Sequence, residues 1–444
     1  MMKTERHLPA WLLKLLPVRL ARQSAACCVQ ASQTTDTLMR QLLVDVSVIH
    51  QSDARTGIQR VVRSLLLQLI AAPPKGFRVC PVFATRHHGY CHVAPSFMAQ
   101  PDQPPQGLGA TVKAQGGDLF LALDLAAHLL PRHQAQVLGW KKTGVAVHVV
   151  VYDLLPLQHP QWFNKTTTRN FKRWIKWVAV YADNAICISE SVKAELTGWL
   201  SAKFGLPGAT LPASTMVLGA DIEASAPSGG LPPDAGFLLA RLRNTPAVVM
   251  VGTLEPRKGH DQALAAFEHL WKIPNPAAPA PLLVIVGRPG WKTEALQEQL
   301  RMHPQAGKRL FWFEDISDEF LLRLYTACRG VLVASRAEGF GLPLVEAALH
   351  GKPVLARDIP VFREIGVAGV TYFNGETPQG LATAINQWLQ RAGAALLPGR
   401  ACAKLPTWQL TAVQLTHALG LSQGKVAAAS AVNLLNRSSR GAAV

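Results

Sequence analysis

The stretch that decides the fold runs from "VLVAS" (Val331 to Ser335) into "EGFGLPLVEAALHG" (Glu338 to Gly351). A short β-branched run, a Gly-Phe-Gly turn and a train of small apolar residues describe a strand, a tight turn and a buried helix. Pro343 fits the first position of that helix, because an amide proton there would have no intrahelical acceptor. The amides of Gly339, Phe340, Gly341 and Leu342 are thereby placed at the positive end of a helix dipole, an arrangement suited to an anion. Two carboxylates bracket the turn. Glu338 stands just before it, on the open side, and Glu346 falls near the end of the first helical turn, within reach of a ribose hydroxyl.

The same unit recurs on either side. "VGTLEPRKGHD" (Val251 to Asp261) ends an earlier strand and carries Gly252, Thr253, Arg257 and Lys258, while "VGRPGW" (Val286 to Trp291) ends another and carries Gly287. Cations at the start of a helix oppose its dipole, so Arg257 and Lys258 point to a bound anion such as a diphosphate. Further upstream, "LLVDVSVIH", "FRVCPVFAT", "DLFLALDL", "VAVHVVVYD" and "NAICIS" alternate with helical stretches from residue 41 onward. Continuous apolar strands between amphipathic helices indicate parallel sheets covered on both faces, and in such sheets ligands bind beyond the carboxyl ends of the strands. The expected class is therefore α/β, with two doubly wound halves. A Pro-, Gly- and Ser-rich stretch divides them, giving a leader at 1–37, a first domain at 38–222, a linker at 223–236 and a second domain at 237–400. A C-terminal helix at 401–421 and a loose tail at 422–444 complete the expected organisation.

A chain of 444 residues is too long for one core and suits two domains. Forty-five Lys and Arg against 28 Asp and Glu leave a net charge of +17, which calls for a polyanionic partner: nucleic acid, anionic lipid or a phosphorylated substrate. The absence of helix-turn-helix and zinc-finger patterns, with charge spread over both halves, disfavours a nucleic-acid-binding protein. No apolar run reaches the length of a membrane span. The seven cysteines form no C-x-x-C pair and read as reduced thiols of a cytoplasmic protein. Within "TTTRNFKRWIKWVAVYA" (Thr166 to Ala182), Arg169, Lys172, Arg173 and Lys176 share one helical face, a surface for anionic headgroups or a lipid diphosphate. The leader is basic and leucine-rich, as a segment lying on a membrane would be; a disordered leader that docks loosely is the alternative reading.

With these motifs in this order, roughly residues 40 to 418 resemble the retaining glycosyltransferases of GT-B fold, glycosyltransferase family 4. The resemblance rests on Glu338 and Glu346 as an E-x7-E pair within "EGFGLPLVEA", on "VGTLEPRKGHD", on "ADNAICISESV" and on "DARTGIQRVV". It implies two Rossmann-like domains facing a cleft, and a nucleotide-diphosphate sugar as donor with no resident cofactor or metal. Glu338 would then contact the transferred sugar and Glu346 the ribose. Phe340, Gly341, Leu342 and Lys258, assisted by Arg257, would hold the diphosphate. Gly57 in "RTGIQR" matches the glycine loop, and Asp153 or His159 in "YDLLPLQHP" corresponds to the acceptor side. Thr253 stands where many relatives carry arginine, so neutralisation leans on Lys258 and Arg257. The chain contains no Asp-x-Asp triplet, the metal-holding pattern of the other glycosyltransferase plan. The wording is most like bacterial mannosyl- or rhamnosyltransferases of surface polysaccharides, with GDP-mannose the first donor indicated. The expected acceptor is a glycan, lipid-linked, at the inner face of a membrane. An epimerase or hydrolase on the same double plan is the rival enzyme.

Overall fold

The computed structural model describes residues 16–26, 39–53, 57–94, 97, 109–208, 210–222, 227–272, 279–367, 369–394 and 405–421. Within them the chain forms two compact units, one of residues 1–158, 165–218 and 408–444, the other of residues 159–164 and 219–407.

The first unit is built on strands β1 (Arg40–Asp45), β2 (Phe77–Phe83), β3 (Cys91–His92), β4 (Leu119–Ala122), β5 (Ala146–Val151), β6 (Asn184–Cys187) and β7 (Ala213–Thr215). They lie in the order β3-β2-β1-β4-β5-β6-β7, parallel except for β3, which pairs antiparallel with β2. The second unit has β8 (Ala247–Val251), β9 (Leu282–Val286), β10 (Leu310–Phe313), β11 (Gly330–Val333), β12 (Val354–Arg357) and β13 (Val370–Phe373). Its order is β10-β9-β8-β11-β12-β13, all parallel. Val248, Met250, Leu283, Ile285, Leu332 and Leu355 from these strands meet Leu264, Phe267, Ile385 and Trp388 from the covering helices in one core. Strands buried on both faces account for the unbroken apolar runs in the sequence.

Order reverses between β8 and β11, and in the first unit between β1 and β4. Neighbouring strands there send their following loops to opposite sides, which opens the crevice where doubly wound sheets hold ligands.

Three parts of the chain outside the sheets are held by specific contacts. Residues 228–230, in the expected linker, are bound to the second unit: Ser228 N and Oγ donate to Asp318 Oδ2 at 2.9 and 3.1 Å, and Gly230 N to Glu319 Oε2 at 3.0 Å. The acids at the start of the Asp318–Ala327 helix draw these polar groups onto the second unit. The Trp408–Ala418 helix returns to the first unit, where Thr411 Oγ1 donates to Val217 O at 2.8 Å and Asn184 Nδ2 to Ala418 O at 2.9 Å. The described part of the leader, helix Val18–Ala26, packs on helix Lys165–Tyr181. Val18, Ala21 and Ala25 are buried there, and Arg22 donates to Ala179 O, Ala182 O and Thr210 O. That apolar face is covered by protein; residues 1–15, 27–38 and the tail from 422, and with them most of the expected leader, fall outside the described residues.

Trp408 is fully buried where the returning helix begins. Trp408→Ala is expected to cost about 3–5 kcal/mol of stability, read as a fall in the denaturant midpoint of the first unit's transition.

Candidate active site

Because β8 and β11 are adjacent and parallel, with Val249 beside Val331, the loops that follow them leave the sheet at one edge. The β8 loop folds into a 3-10 turn, Pro256–Lys258, entered through extended Glu255 and left through Gly259 in the left-handed region. The β11 loop carries Arg336, Ala337 and Glu338 towards it. Arg336 N donates to Arg257 O at 2.7 Å, and the Arg336 guanidinium grips Asp261 at 2.9 Å. Two loops far apart in sequence are thus fastened together.

At their junction Glu338 is the centre. Its Oε2 accepts from Arg257 Nη1 and its Oε1 from Lys258 Nζ, each at 2.5 Å, with the carboxylate side chain 8% exposed. Burial alone would raise this acid's pKa. Arg257 and Lys258, with hydrogen bonds from Lys258 and Ser335, outweigh burial and hold it down to about 2. Arg257 is gripped a second time, Nε donating to Glu255 Oε2 at 2.7 Å. Glu255 was not among the residues singled out from sequence, although it lies inside "LEPRK". Arg257 and Lys258, expected to stand ready for a diphosphate, are therefore already engaged by carboxylates. Beside them His260 is fully buried, and burial followed by the Lys258 charge pushes its pKa down to about 3, so it is neutral.

The helix after Glu338 opens at Leu342, one residue earlier than the sequence predicts. Gly341 has φ of 117° and caps helix Leu342–Leu349, with Pro343 in the first turn. A Cβ at Gly341 would come within 2.6 Å of the Phe362 ring, so this position requires glycine on both counts. Phe340 is buried and contributes backbone to the turn while its side chain packs in the core. Leu342 opens the helix, where the amides of the first turn lack intrahelical partners. Glu346 is nearly buried, at 2% exposure, and accepts from Tyr325 Oη at 2.9 Å. Gly252 and Gly287 end neighbouring strands and lie against each other, Gly252 N donating to Val286 O at 2.9 Å. Lys258 crosses over Gly252 within 3.4 Å of where a Cβ would sit, and half-buried Thr253 follows it.

The remaining sequence candidates lie elsewhere. Gly57 is the exposed first residue of helix Gly57–Ala71 in the first unit, and an ion pair joins Arg63 on that helix to Asp53. Asp153 follows β5 and accepts from Leu155 N at 3.0 Å, closing a short helical turn. His159 falls in the segment grouped with the second unit, its ring stacked on Trp162 at 4.1 Å, so these two belong to different units. Arg169, Lys172 and Arg173 are exposed on helix Lys165–Tyr181, with Lys176 half-buried.

The first unit's own switch point holds two acids that sequence reasoning passed over, Asp45 and Asp124. Asp45 accepts from Ser47 and from Tyr90 Oη at 2.9 Å, and Asp124 from the amides of Val48 and Ile49 at 2.8 Å. Burial pushes their pKa values up to about 6 and about 7. The signal was available: both "LLVD" and "LALD" end an apolar strand on an acid.

Residues 240–396 match the family model for glycosyl transferases group 1. The second unit thus carries a glycosyltransferase group 1 domain, and the Glu338 cluster falls inside it. The serotype-specific mannosyltransferase WbdA of Escherichia coli is 43% identical over 352 residues, 79% of this chain and 41% of that protein. The chain thus spans about two fifths of that relative's length. Glycogen synthase of Mycobacterium tuberculosis is 29% identical over 57% of this chain and 58% of its own length. Among solved structures, Anabaena Alr3699/HepE in complex with UDP and glucose has a TM-score of 0.55 at 18% identity, over 86% of this chain and 99% of that one. Sucrose-phosphate synthase of Thermosynechococcus elongatus has a TM-score of 0.58 at 18% identity, over 86% and 98%. These structures show the fold, the two-sheet GT-B plan.

A diphosphate arriving at this cluster would have to compete with Glu338 for the same two cations. Glu338→Gln removes the competing charge and keeps the shape, so it is expected to bind free nucleoside diphosphate about tenfold more tightly, roughly 1.4 kcal/mol. Lys258→Met is expected to weaken the same binding. Titration calorimetry reads both; unchanged or weaker binding by the Glu338 variant removes the competition.

Proposed function

We propose that the chain is a retaining, metal-independent glycosyltransferase that moves a hexosyl group, first of all mannosyl from GDP-mannose, to a growing glycan. The observation that carries this reading is the Glu338 carboxylate set between Arg257 and Lys258 at the β8/β11 switch point, beside the open start of helix Leu342–Leu349. The mannosyl assignment takes its support from the 43% identity to a serotype-specific mannosyltransferase.

In this reading the donor's diphosphate lies against the Gly339–Leu342 turn and takes Lys258 and Arg257 from Glu338. Released from those cations, Glu338 accepts hydrogen bonds from the sugar's hydroxyls, and Glu346 from the ribose. The bond between the anomeric carbon and the β-phosphate oxygen breaks, and two cations with the helix dipole stabilise the charge left on the phosphate. The acceptor hydroxyl attacks from the same face and gives its proton to the departing phosphate, which preserves the anomeric configuration. Products belong to surface polysaccharide, built on a lipid-linked acceptor at the inner face of the membrane.

Helix Lys165–Tyr181 supports that location. It carries five cations and no acid over 17 residues; Lys165, Arg169, Lys172 and Arg173 are exposed in its first half, and Lys165 stands in the first turn, where a cation opposes the helix dipole. Helix stability does not ask for them, and an anionic surface does. Trp174 and Trp177 are buried, so the contact is electrostatic and involves no aromatic insertion from this helix. No helix among the described residues is long and apolar enough to cross a membrane.

Purified protein with GDP-, UDP- and TDP-sugars is expected to be stabilised by one donor class and to transfer its sugar only when an acceptor glycan is added. Glu338→Ala is expected to lower that transfer by about a hundredfold or more, the scale of a lost charged contact. Donor turnover at the same rate without acceptor contradicts transfer and favours an epimerase or hydrolase. Reversing Arg169, Lys172 and Arg173 to glutamate is expected to cost at least about 3 kcal/mol of binding to phosphatidylglycerol vesicles, at about 1 kcal/mol per cation. Neutral vesicles should show no difference, and unchanged binding to anionic vesicles removes the membrane role of this face.

A further inference from the structure

We infer that Tyr325 is a positioning residue that sets the Glu346 carboxylate for the donor's ribose; the inference rests on the donor site proposed above. Tyr325 lies on helix Asp318–Ala327, which enters β11, and Glu346 lies on helix Leu342–Leu349, which leaves the loop after it. Both are out of solvent, at 0% and 2% exposure. Tyr325 Oη donates to Glu346 Oε2 at 2.9 Å. The phenol ring is stacked on His350, one turn beyond Glu346, with centroids 5.6 Å apart and planes 19° from parallel. The ring is therefore held by packing while its hydroxyl holds the acid.

The arrangement is costly as mere core. A carboxylate taken out of water loses its hydration, and an apolar side chain of similar volume would fill the space between two helices without that loss. What the phenol supplies is order. A charged hydrogen bond to one oxygen fixes the rotamer and plane of the carboxylate before a ligand arrives. A ribose hydroxyl then meets an acceptor that has no side-chain freedom left to lose, which is where preorganisation raises affinity. Glu346 sits in the helix whose first turn faces the diphosphate, so the ribose is the part of a nucleotide one step along from that anion.

The test is steady-state transfer by the full chain and by Tyr325→Phe with three donors: the ribonucleoside diphosphate sugar and its 2′-deoxy and 3′-deoxy counterparts. Tyr325→Phe removes one oxygen and keeps the stacked ring. Its KM for the ribonucleotide donor is expected to rise about tenfold, the scale of a charge-assisted hydrogen bond, with kcat within about twofold. For the deoxy donor that lacks the hydroxyl bound by Glu346, the same substitution is expected to change KM by less than about twofold. Glu346→Gln should erase the preference for ribose over that deoxyribose and serves as the second variant should Tyr325→Phe fold poorly. Equal losses on all three donors, or a lowered melting temperature with unchanged selectivity, overturn the positioning role. A wild-type protein that transfers from no nucleotide sugar fails the proposed function itself, a separate outcome from wild-type transfer with no effect of the phenol.

Discussion

One carboxylate between two cations governs the second unit's candidate site. Arg257 and Lys258 occupy a 3-10 turn at the start of a helix, where positive charge is unfavourable. Glu338 reaches them from the loop after the neighbouring strand. Their attraction is strong enough to hold a buried acid ionised down to about pH 2. The consequence is geometric as much as electrostatic. Two loops separated by some eighty residues are fixed against each other, and the turn from Gly339 to Leu342 is carried to a set place at the sheet edge.

The cluster also shows why the parts of an anion site can be present without a standing positive charge. Glu255 and Glu338 balance Arg257 and Lys258, and the adjacent buried His260 is neutral. An anion arriving at this place would exchange one partner for another instead of entering an unpaired field, so the two half-buried cations would not be left unsatisfied. The first unit has an analogous economy at its own switch point, where Asp45 and Asp124 spend their oxygens on the amides and hydroxyls of the Val46–Gln51 turn.

Much of this was legible in the amino-acid order because local chemistry dictates it. Apolar runs without alternation specify buried parallel strands, and Gly341 with Pro343 specifies a helix start after a left-handed residue. Two acids eight positions apart around that start mark the candidate site in the sequence. What the sequence did not disclose are pairings between distant elements. Tyr325 beside Glu346, and Glu255 against Arg257, follow from how helices and loops pack, and neither has a spacing signature. The docking of helix Val18–Ala26 is not legible in the sequence for the same reason. An amphipathic basic segment has one appearance whether its apolar face meets lipid or another helix, and only Arg22 capping the carbonyls of Ala179 and Ala182 tells them apart. The return of helix Trp408–Ala418 to the first unit is likewise a matter of tertiary contact, made through Val217 and Asn184.

The central claim is that the turn after Glu338 and the turn after Val251 together receive the donor's diphosphate. Amide hydrogen exchange, measured with and without a saturating nucleotide-diphosphate sugar, tests it most directly. The account predicts that the largest slowing of exchange falls on residues 252–258 and 336–346, with the Phe340 to Leu342 amides among those protected. Binding of the donor with no protection in either segment, or with protection concentrated elsewhere in the chain, would contradict it.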